Sequence, residues 1–273
     1  MGILNVTPDS FSDGGRFVDV DRAVAHGREL FDQGADIIDV GGESTRPGAT
    51  PVGAAEETAR VVPVIAALAP HGRVSVDTAK AEVAAAAVAA GADLINDVSA
   101  SLHGIAADHQ VGWVAMHMQG EPRTMQHDPA YGDVVAEVEA YLRARAELAR
   151  EAGVPEVWID PGIGFGKTAV HNWKLLAALD RLVAIGVPVA VGTSRKTFLG
   201  AAMARADQTG TAAPPGDRLE GSVATAVRAA ANGAALVRVH DVAATVAALG
   251  AAGSAVRPSP VDGLEQEENS RWL

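Results

Sequence analysis

The chain of 273 residues contains no cysteine, so no disulfide, thiolate nucleophile or thiolate metal site can be built from it. That absence fits a reducing compartment, and a cytoplasmic setting is the expectation. Aromatic residues are scarce at 4% while alanine is abundant, which favours closely packed helices. Positive charge is in deficit: 22 Lys and Arg against 34 Asp and Glu give a net charge of −12. This disfavours nucleic acid or an anionic membrane as the main partner and leaves room for a local basic pocket. No apolar run approaches the roughly 20 residues of a membrane span. Residues 1–6 lack a basic leader and the myristoylation pattern, and they read as a strand. Asn5-Val-Thr7 matches a glycosylation sequon, which carries little weight without a secretion signal.

Hydrophobic residues make up 48% of the chain, enough for a substantial core. Short apolar runs at 2–6, 37–40, 74–76, 94–96, 113–116, 157–159, 187–191 and 236–239 alternate with Ala-rich helical segments near 20–33, 54–68, 80–90, 103–109, 133–152, 172–185, 217–232 and 241–250. Strands that are apolar along most of their length imply a parallel sheet buried on both faces. Eight strand–helix units suit a closed α/β (β/α)8 TIM barrel, usually about 250 residues long, better than an open doubly wound sheet. A single domain is expected over 1–252, with a Pro- and Glu-rich tail over 253–273 that reads as disordered.

Polar residues fall at the C-terminal ends of these runs: Asn5, Asp39, Asp77, Asn96, His117, Asp160, Ser194 and His240. Any one alone suits a helix cap or a turn. In a barrel, together, they surround one mouth, where active sites are built. Three long connections join that mouth, at 7–19, 41–52 and 192–216. The first two are Gly/Pro/Ser-rich functional-loop candidates; the third opens on Ser194-Arg-Lys196 and continues as a Thr/Ala/Pro-rich tract expected to be a mobile linker. Residues 160–168, Asp-Pro-Gly-Ile-Gly-Phe-Gly-Lys-Thr, invite a phosphate-cradle reading. The spacing refuses it: a Walker loop needs four residues before its Gly-Lys pair, and Gly162 and Gly166 have three between them. A dinucleotide fingerprint would need a small residue at Lys167.

Several segments carry a more specific signal together: Met1-Gly-Ile-Leu-Asn-Val-Thr-Pro-Asp-Ser-Phe-Ser-Asp-Gly-Gly15, Asp39-Val-Gly-Gly-Glu-Ser-Thr-Arg-Pro-Gly48, Ser75-Val-Asp-Thr78, Ile95-Asn-Asp97, Met116-His-Met-Gln-Gly120, residues 160–168, Ser194-Arg-Lys196 and Arg238-Val-His-Asp241. In order and spacing, from residue 1 to about 246, they resemble the bacterial dihydropteroate synthases. The resemblance implies a barrel that condenses 7,8-dihydropterin-6-ylmethyl diphosphate with 4-aminobenzoate, releasing diphosphate, in folate biosynthesis.

Matching residues to that implied reaction puts Asp160 on the pterin, because a carboxylate accepts two parallel hydrogen bonds from its N–H and NH2 edge. Asp77 and Asn96 would hold other ring nitrogens, Lys196 the carbonyl side, and Met116 and Phe165 the ring faces, with Gly192 beside them. The glycines of 160–168 would let the flat ring approach, leaving Lys167 peripheral. Asn5, Arg46, Arg238 and His240 would bind diphosphate, with Asn5 as the protein ligand of an implied Mg2+ and Asp13 close by in a catalytic role. Lys196, Arg238 and His240 complete the catalytic set. Aminobenzoate would meet Phe11, Thr45, Arg46, Pro47 and Ser194, in a pocket where sulfonamides compete.

The chain departs from the family pattern in starting at the first strand without the usual short leader. The fourth helix is expected to be short, the last to be weakened by Gly250 and Gly253, and a homodimer through late helices is implied by resemblance alone. Two other readings stay open: a related barrel transferring a methyl group from methylated tetrahydrofolate to a corrinoid protein, and a catalytically silent pterin-binding paralogue.

Overall fold

The computed structural model describes residues 1–7, 16–44 and 51–253, with side chains of the first helix described from residue 20 onward. Eight parallel strands form the centre: β1 (Gly2–Asn5), β2 (Ile37–Gly41), β3 (Arg73–Asp77), β4 (Leu94–Asp97), β5 (Gly112–Met116), β6 (Val157–Asp160), β7 (Ala190–Val191) and β8 (Leu236–Val237). The helices between and after them are α1 (Arg16–Asp32), α2 (Ala54–Leu68), α3 (Ala81–Ala89), α4 (His103–His109), α5 (Val134–Glu151), α6 (Ala169–Ala177), α7 (Leu179–Val183), α8 (Thr197–Ala206), α9 (Leu219–Ala231) and α10 (Val242–Ala251).

Strands β1 to β6 make one ladder in sequence order and β7–β8 a second. Single parallel bridges, Ile159 to Val189 and Gly2 to Val239, join the two ladders into a ring. The closing bonds run from Ile3 N to Val239 O and from Val239 N to Met1 O, each 2.9 Å. The expected barrel is therefore the observed fold. The seventh and eighth strands are shorter than the apolar runs 187–191 and 236–239, because their remaining residues bond at isolated points rather than along a continuous ladder.

The alternation of side chains along each strand sets up the site. One parity points outward beneath the helices: Leu4, Ile38, Val40, Val74, Val76, Ile95, Trp113, Ala115 and Ile159 all belong to the large buried cluster. The other parity points into the barrel. At its lower end lie Met1, Ile37, Leu94, Val114, Ala190 and Leu236, a separate apolar plug. Two residues further along the same strands the inward positions turn polar at Asp39, Asn96 and Arg238, while β5 keeps an apolar Met116 there. Register levels several of them, pairing Asn5 with Gly41, Gly41 with Asp77, Asp77 with Asn96, and Met116 with Asp160.

Several expectations need correcting. The helix expected over 172–185 is two, α6 and α7, broken at Ala178. The connection 192–216 contains a helix, α8, hidden in the sequence by Gly200 at its centre. A Cβ on Gly200 would lie 2.7 Å from both Ala213 O and Arg218 Nε, so glycine is what lets the Thr/Ala/Pro tract fold back over α8. Buried Arg218 then ties that tract down, donating to Ala213 O and Arg195 O at 2.7 and 2.8 Å. Gly250 does lie inside α10, whereas Gly253 sits beyond it at φ +70°, a helix terminator and not a weak link. The short fourth helix is found, at seven residues. No helix among the described residues is long and apolar enough to cross a membrane. The tail from residue 254 lies outside the described residues.

Candidate active site

The mouth opens into a cleft of about 890 Å³ whose lining includes Asn5, Asp77, Phe165, Gly192, Ser194, Lys196, Arg238 and His240. Arg238 is its electrostatic centre. Its Nε donates to Asp39 Oδ2 at 2.5 Å and its Nη2 to Asp77 Oδ2 at 2.8 Å. Burial alone would lower the Arg238 pKa, but the two carboxylates more than offset it and hold the guanidinium above its ordinary value. Asp39 is fully buried, and its Oδ2 also accepts from Asn96 Nδ2 at 2.9 Å. The second oxygens of Asp39 and Asp77 have no hydrogen-bond partner, and Asp77, which lines the cleft, keeps acceptor capacity there. Burial pushes the Asp77 carboxyl up to about 7, against the pull of Arg238.

A second group stands across the mouth. Asp160, buried at the end of β6, accepts from Gly162 N at 2.6 Å. Burial raises its pKa, and Lys196 is the largest opposing charge. Lys196 is itself lowered by burial to about 8, with Asp160 holding it up. Its Nζ donates to Ile163 O and stands 4.8 Å from the centre of the Phe165 ring, so one face of that ring already carries a cation. Ser194 and His240 form one unit: Ser194 Oγ lies 3.0 Å from His240 Nδ1 and accepts from the His240 backbone N–H at 3.2 Å. When the imidazole is protonated its Nδ1–H donates to Oγ, which frees the hydroxyl proton for an anion.

The pterin binding enzyme family model matches residues 1–240 of this chain. The chain belongs to the dihydropteroate synthase branch of the pterin-binding enzymes. A dihydropteroate synthase of Mycobacterium leprae is 47% identical over 269 residues, covering 95% of this chain and 94% of that one. The Xanthomonas albilineans dihydropteroate synthase solved with 4-aminobenzoic acid is 50% identical, with a TM-score of 0.84, and covers 92% of this chain and 90% of that chain. The Thermus thermophilus dihydropteroate synthase in complex with 6HMPPP is 44% identical, with a TM-score of 0.77, and covers 92% of this chain and 91% of that chain.

For a pterin-binding enzyme, the described residues bring together most of the side chains that the resemblance singled out. Asn96, Met116 and Asp160 are buried at the strand ends, and Asn5, Asp77, Phe165, Gly192, Ser194, Lys196, Arg238 and His240 line the cleft. Phe11, Asp13, Thr45, Arg46 and Pro47 lie outside the described residues. Sequence reasoning did not assign Asp39 a role, although it holds both Arg238 and Asn96. It also missed the start of α8, where Thr197 and Phe198 line the cleft, because α8 itself was not expected. A third omission is the cluster that pins the loop after β2: Lys80 Nζ binds Glu43 Oε2 at 2.5 Å and buried Glu57, while Glu43 Oε1 accepts from Val52 N at 2.9 Å. These residues are far apart in the chain, and no local pattern joins them.

The glycines of 160–168 have a different purpose from the expected one. Gly162, Gly164 and Gly166 all have positive φ. A Cβ on Gly162 would lie 1.8 Å from His117 O, and one on Gly166 would lie 2.1 Å from Gln119 O. Those two glycines admit the neighbouring β5 loop and not a flat ligand; Gly164 faces the Lys196 side chain, whose Cδ a Cβ there would meet at 3.1 Å. Gly162→Ala is therefore expected to destabilise the fold by roughly 3 kcal/mol or more, read as a loss in denaturant midpoint, since it adds both a clash and left-handed strain. Lys167 is also not peripheral: it is 2% exposed and lines the cleft.

Proposed function

We infer that this chain condenses 7,8-dihydropterin-6-ylmethyl diphosphate with 4-aminobenzoate, forming 7,8-dihydropteroate and releasing diphosphate. The observation that carries this reading is one mouth in which Asp160, Asp77 and Asn96 are interleaved with cations, Lys196 facing Asp160 and Arg238 bonded to Asp77, with His240 on the same wall. The acids suit the donor-rich pyrimidine of a reduced pterin, and the cations suit its carbonyl and the diphosphate. The reacting methylene carbon joins the pterin to the diphosphate. The bond from that carbon to the diphosphate oxygen breaks, the amine nitrogen forms the new bond, and the amine proton passes to solvent.

Arg238 and His240 stabilise charge building on the leaving diphosphate, and the fixed pairing with Asp39 and Asp77 means that Arg238 needs no reorganisation as it does so. The electron-rich pterin spreads positive charge on the methylene, which favours a dissociative step. An arylamine is neutral at pH 7, so His240 acts as an anion binder and no strong general base is required. Aminobenzoate enters beside Ser194, whose hydroxyl suits its carboxylate, and beside the first turn of α8; a sulfonamide would compete there. Phe11, Thr45, Arg46 and Pro47 belong to the same pocket in this reading, and Asp13 to the catalytic set with Asn5.

Magnesium fits the residues present. Among the described residues no group of three His, Asp or Glu could hold a metal, but Asn5 offers a neutral carbonyl oxygen on the cleft wall beside Gly41 and Asp77. That suits an ion taking most of its ligands from water and phosphate oxygens. Bound there, it would neutralise part of the leaving-group charge. A homodimer is part of this reading, resting on the resemblance alone, and so is a cytoplasmic setting.

A coupled assay of diphosphate release, run with and without aminobenzoate and magnesium, tests the reaction. Release should need both. Silence with all components present would reject the reading, and a methyltransferase-like barrel would give that silence. An α-deuterated methylene in the same assay should show a secondary isotope effect clearly above that of direct displacement.

A further inference from the structure

Among the described residues, Lys167 and Arg218 are the buried cations on the cleft wall to which the proposed reaction gives no task, and Arg218 is taken up by Ala213 O and Arg195 O. The Lys167 Nζ has three acceptors in reach: His117 Nδ1 at 2.8 Å, His117 O at 3.2 Å and Phe165 O at 3.0 Å. An ammonium has three N–H bonds and would serve all three acceptors; burial lowers the Lys167 pKa to about 7 against the pull of Asp160, so this charged form belongs to neutral and acid pH. His117 is matched to this arrangement. Burial, then the charge of Lys167, lowers its pKa to about 3, so the ring stays neutral and Nδ1 can accept. Tyr141 meets the ring edge-on at 4.9 Å and fixes its orientation.

The backbone of the turn is held from outside at every step. Ile163 O accepts from Lys196, Gly164 O from Gln126, Phe165 O from Lys167 and Gly166 O from Tyr131. Of these donors only Lys167 is nearly inaccessible to solvent, and only Lys167 bonds both the turn and the His117 carbonyl against which Gly162 is packed.

We propose that Lys167 is a positioning residue for pterin binding: it clamps the Asp160–Phe165 turn to His117 and places its amine in reach of Asp160. The inference rests on the dihydropteroate synthase reading and adds a residue to it. The charge has a consequence for Asp160, whose carboxyl burial pushes upward while Lys196, the Gly162 N–H, Arg238 and Lys167 draw it down. Around Lys167 itself the charged and titratable neighbours are Asp160, Lys196, His117 and His171.

The test is steady-state kinetics of Lys167→Met, His117→Leu and His117→Asn beside the wild type. Lys167→Met should raise KM for the dihydropterin diphosphate by roughly tenfold or more and leave KM for aminobenzoate within about twofold. The acid limb of kcat/KM for the pterin should move to higher pH, because Asp160 loses one of the charges that keep it ionised. His117→Leu, which keeps Lys167 and removes one acceptor, should give the same split at smaller amplitude and serves if Lys167→Met does not fold. His117→Asn presents an oxygen near the position of Nδ1 and should restore most of the pterin affinity. A lower melting temperature with both KM values unmoved would reduce Lys167 to a structural residue and overturn the inference. So would equal rises in both KM values. An inactive wild type would instead sink the reaction on which the inference rests, so the two failures are distinguishable.

Discussion

Arg238→Met should be among the most damaging single changes in this chain, and its cost should grow with pH. The substitution removes the guanidinium that bonds Asp39 and Asp77 at 2.5 and 2.8 Å. Breaking a buried pair from one side typically costs about 3–5 kcal/mol, because the partner charge is left uncompensated. Here two partners are stranded. The Asp77 carboxyl stands at about 7 against an ordinary 3.8. A carboxyl raised in the folded state contributes its stability below the unfolded value, and that contribution is lost as pH climbs through the folded value. Arg238 limits this loss, and without it the Asp77 value rises further. The gap in melting temperature between wild type and variant should therefore be smallest near pH 5.5 and widen to about pH 8.5. Activity should fall by about 10²–10³ in kcat even where the variant is folded, the usual loss when a preorganised group facing developing charge is removed. A gap that stays constant with pH would mean that Asp77 does not carry the strain.

How much of this arrangement is legible in the chain depends on the range over which each feature is encoded. The barrel is readable because its evidence is local and repeated: each strand is apolar, each ends on a polar residue, and each is followed by a helical pattern. The inward row of Asp39, Asn96 and Arg238 follows from counting by two along strands. What connects those residues is not readable. Arg238 meets Asp39 across 199 positions and Asp77 across 161, and nothing near Arg238 announces either partner. Sequence reasoning placed Arg238 on the diphosphate and Asp77 on the pterin as separate assignments, whereas in the folded protein they are hydrogen-bonded. The glycines of 160–168 illustrate the opposite failure. Their spacing signals close approach, but it cannot say whether a ligand or another loop approaches, and here His117 and Gln119 do. α8 was missed because Gly200 weakens the helical pattern for a reason located at Ala213 and Arg218, on a segment that has yet to fold back. Lys167 and Lys196 look alike in the sequence, and only burial and partners separate their tasks.

Asp160→Asn should separate binding from stability, and its effect on binding should exceed that of any other isosteric change at the site. Asparagine keeps an oxygen for the Gly162 N–H that Asp160 now accepts at 2.6 Å. It replaces the other oxygen by an NH2 group, which would point a donor at the donor-rich edge of the pterin. Two charge-assisted hydrogen bonds are lost or inverted, each worth about 1.5–3 kcal/mol, so kcat/KM for the dihydropterin diphosphate should fall by about 10²–10⁴. Stability should move the other way. Burial raises the Asp160 carboxyl above its ordinary value, which means that the folded protein disfavours the charge it holds there. A group raised in this way gives up stability as pH rises, so a neutral amide of the same shape should leave the melting temperature at pH 8 equal or higher. The measurement is a melting curve beside a binding isotherm for the dihydropterin diphosphate. If affinity and melting temperature fall together, Asp160 is holding the turn and not the ligand. If affinity alone collapses, the buried carboxylate is kept at a cost to stability because the pterin edge requires it.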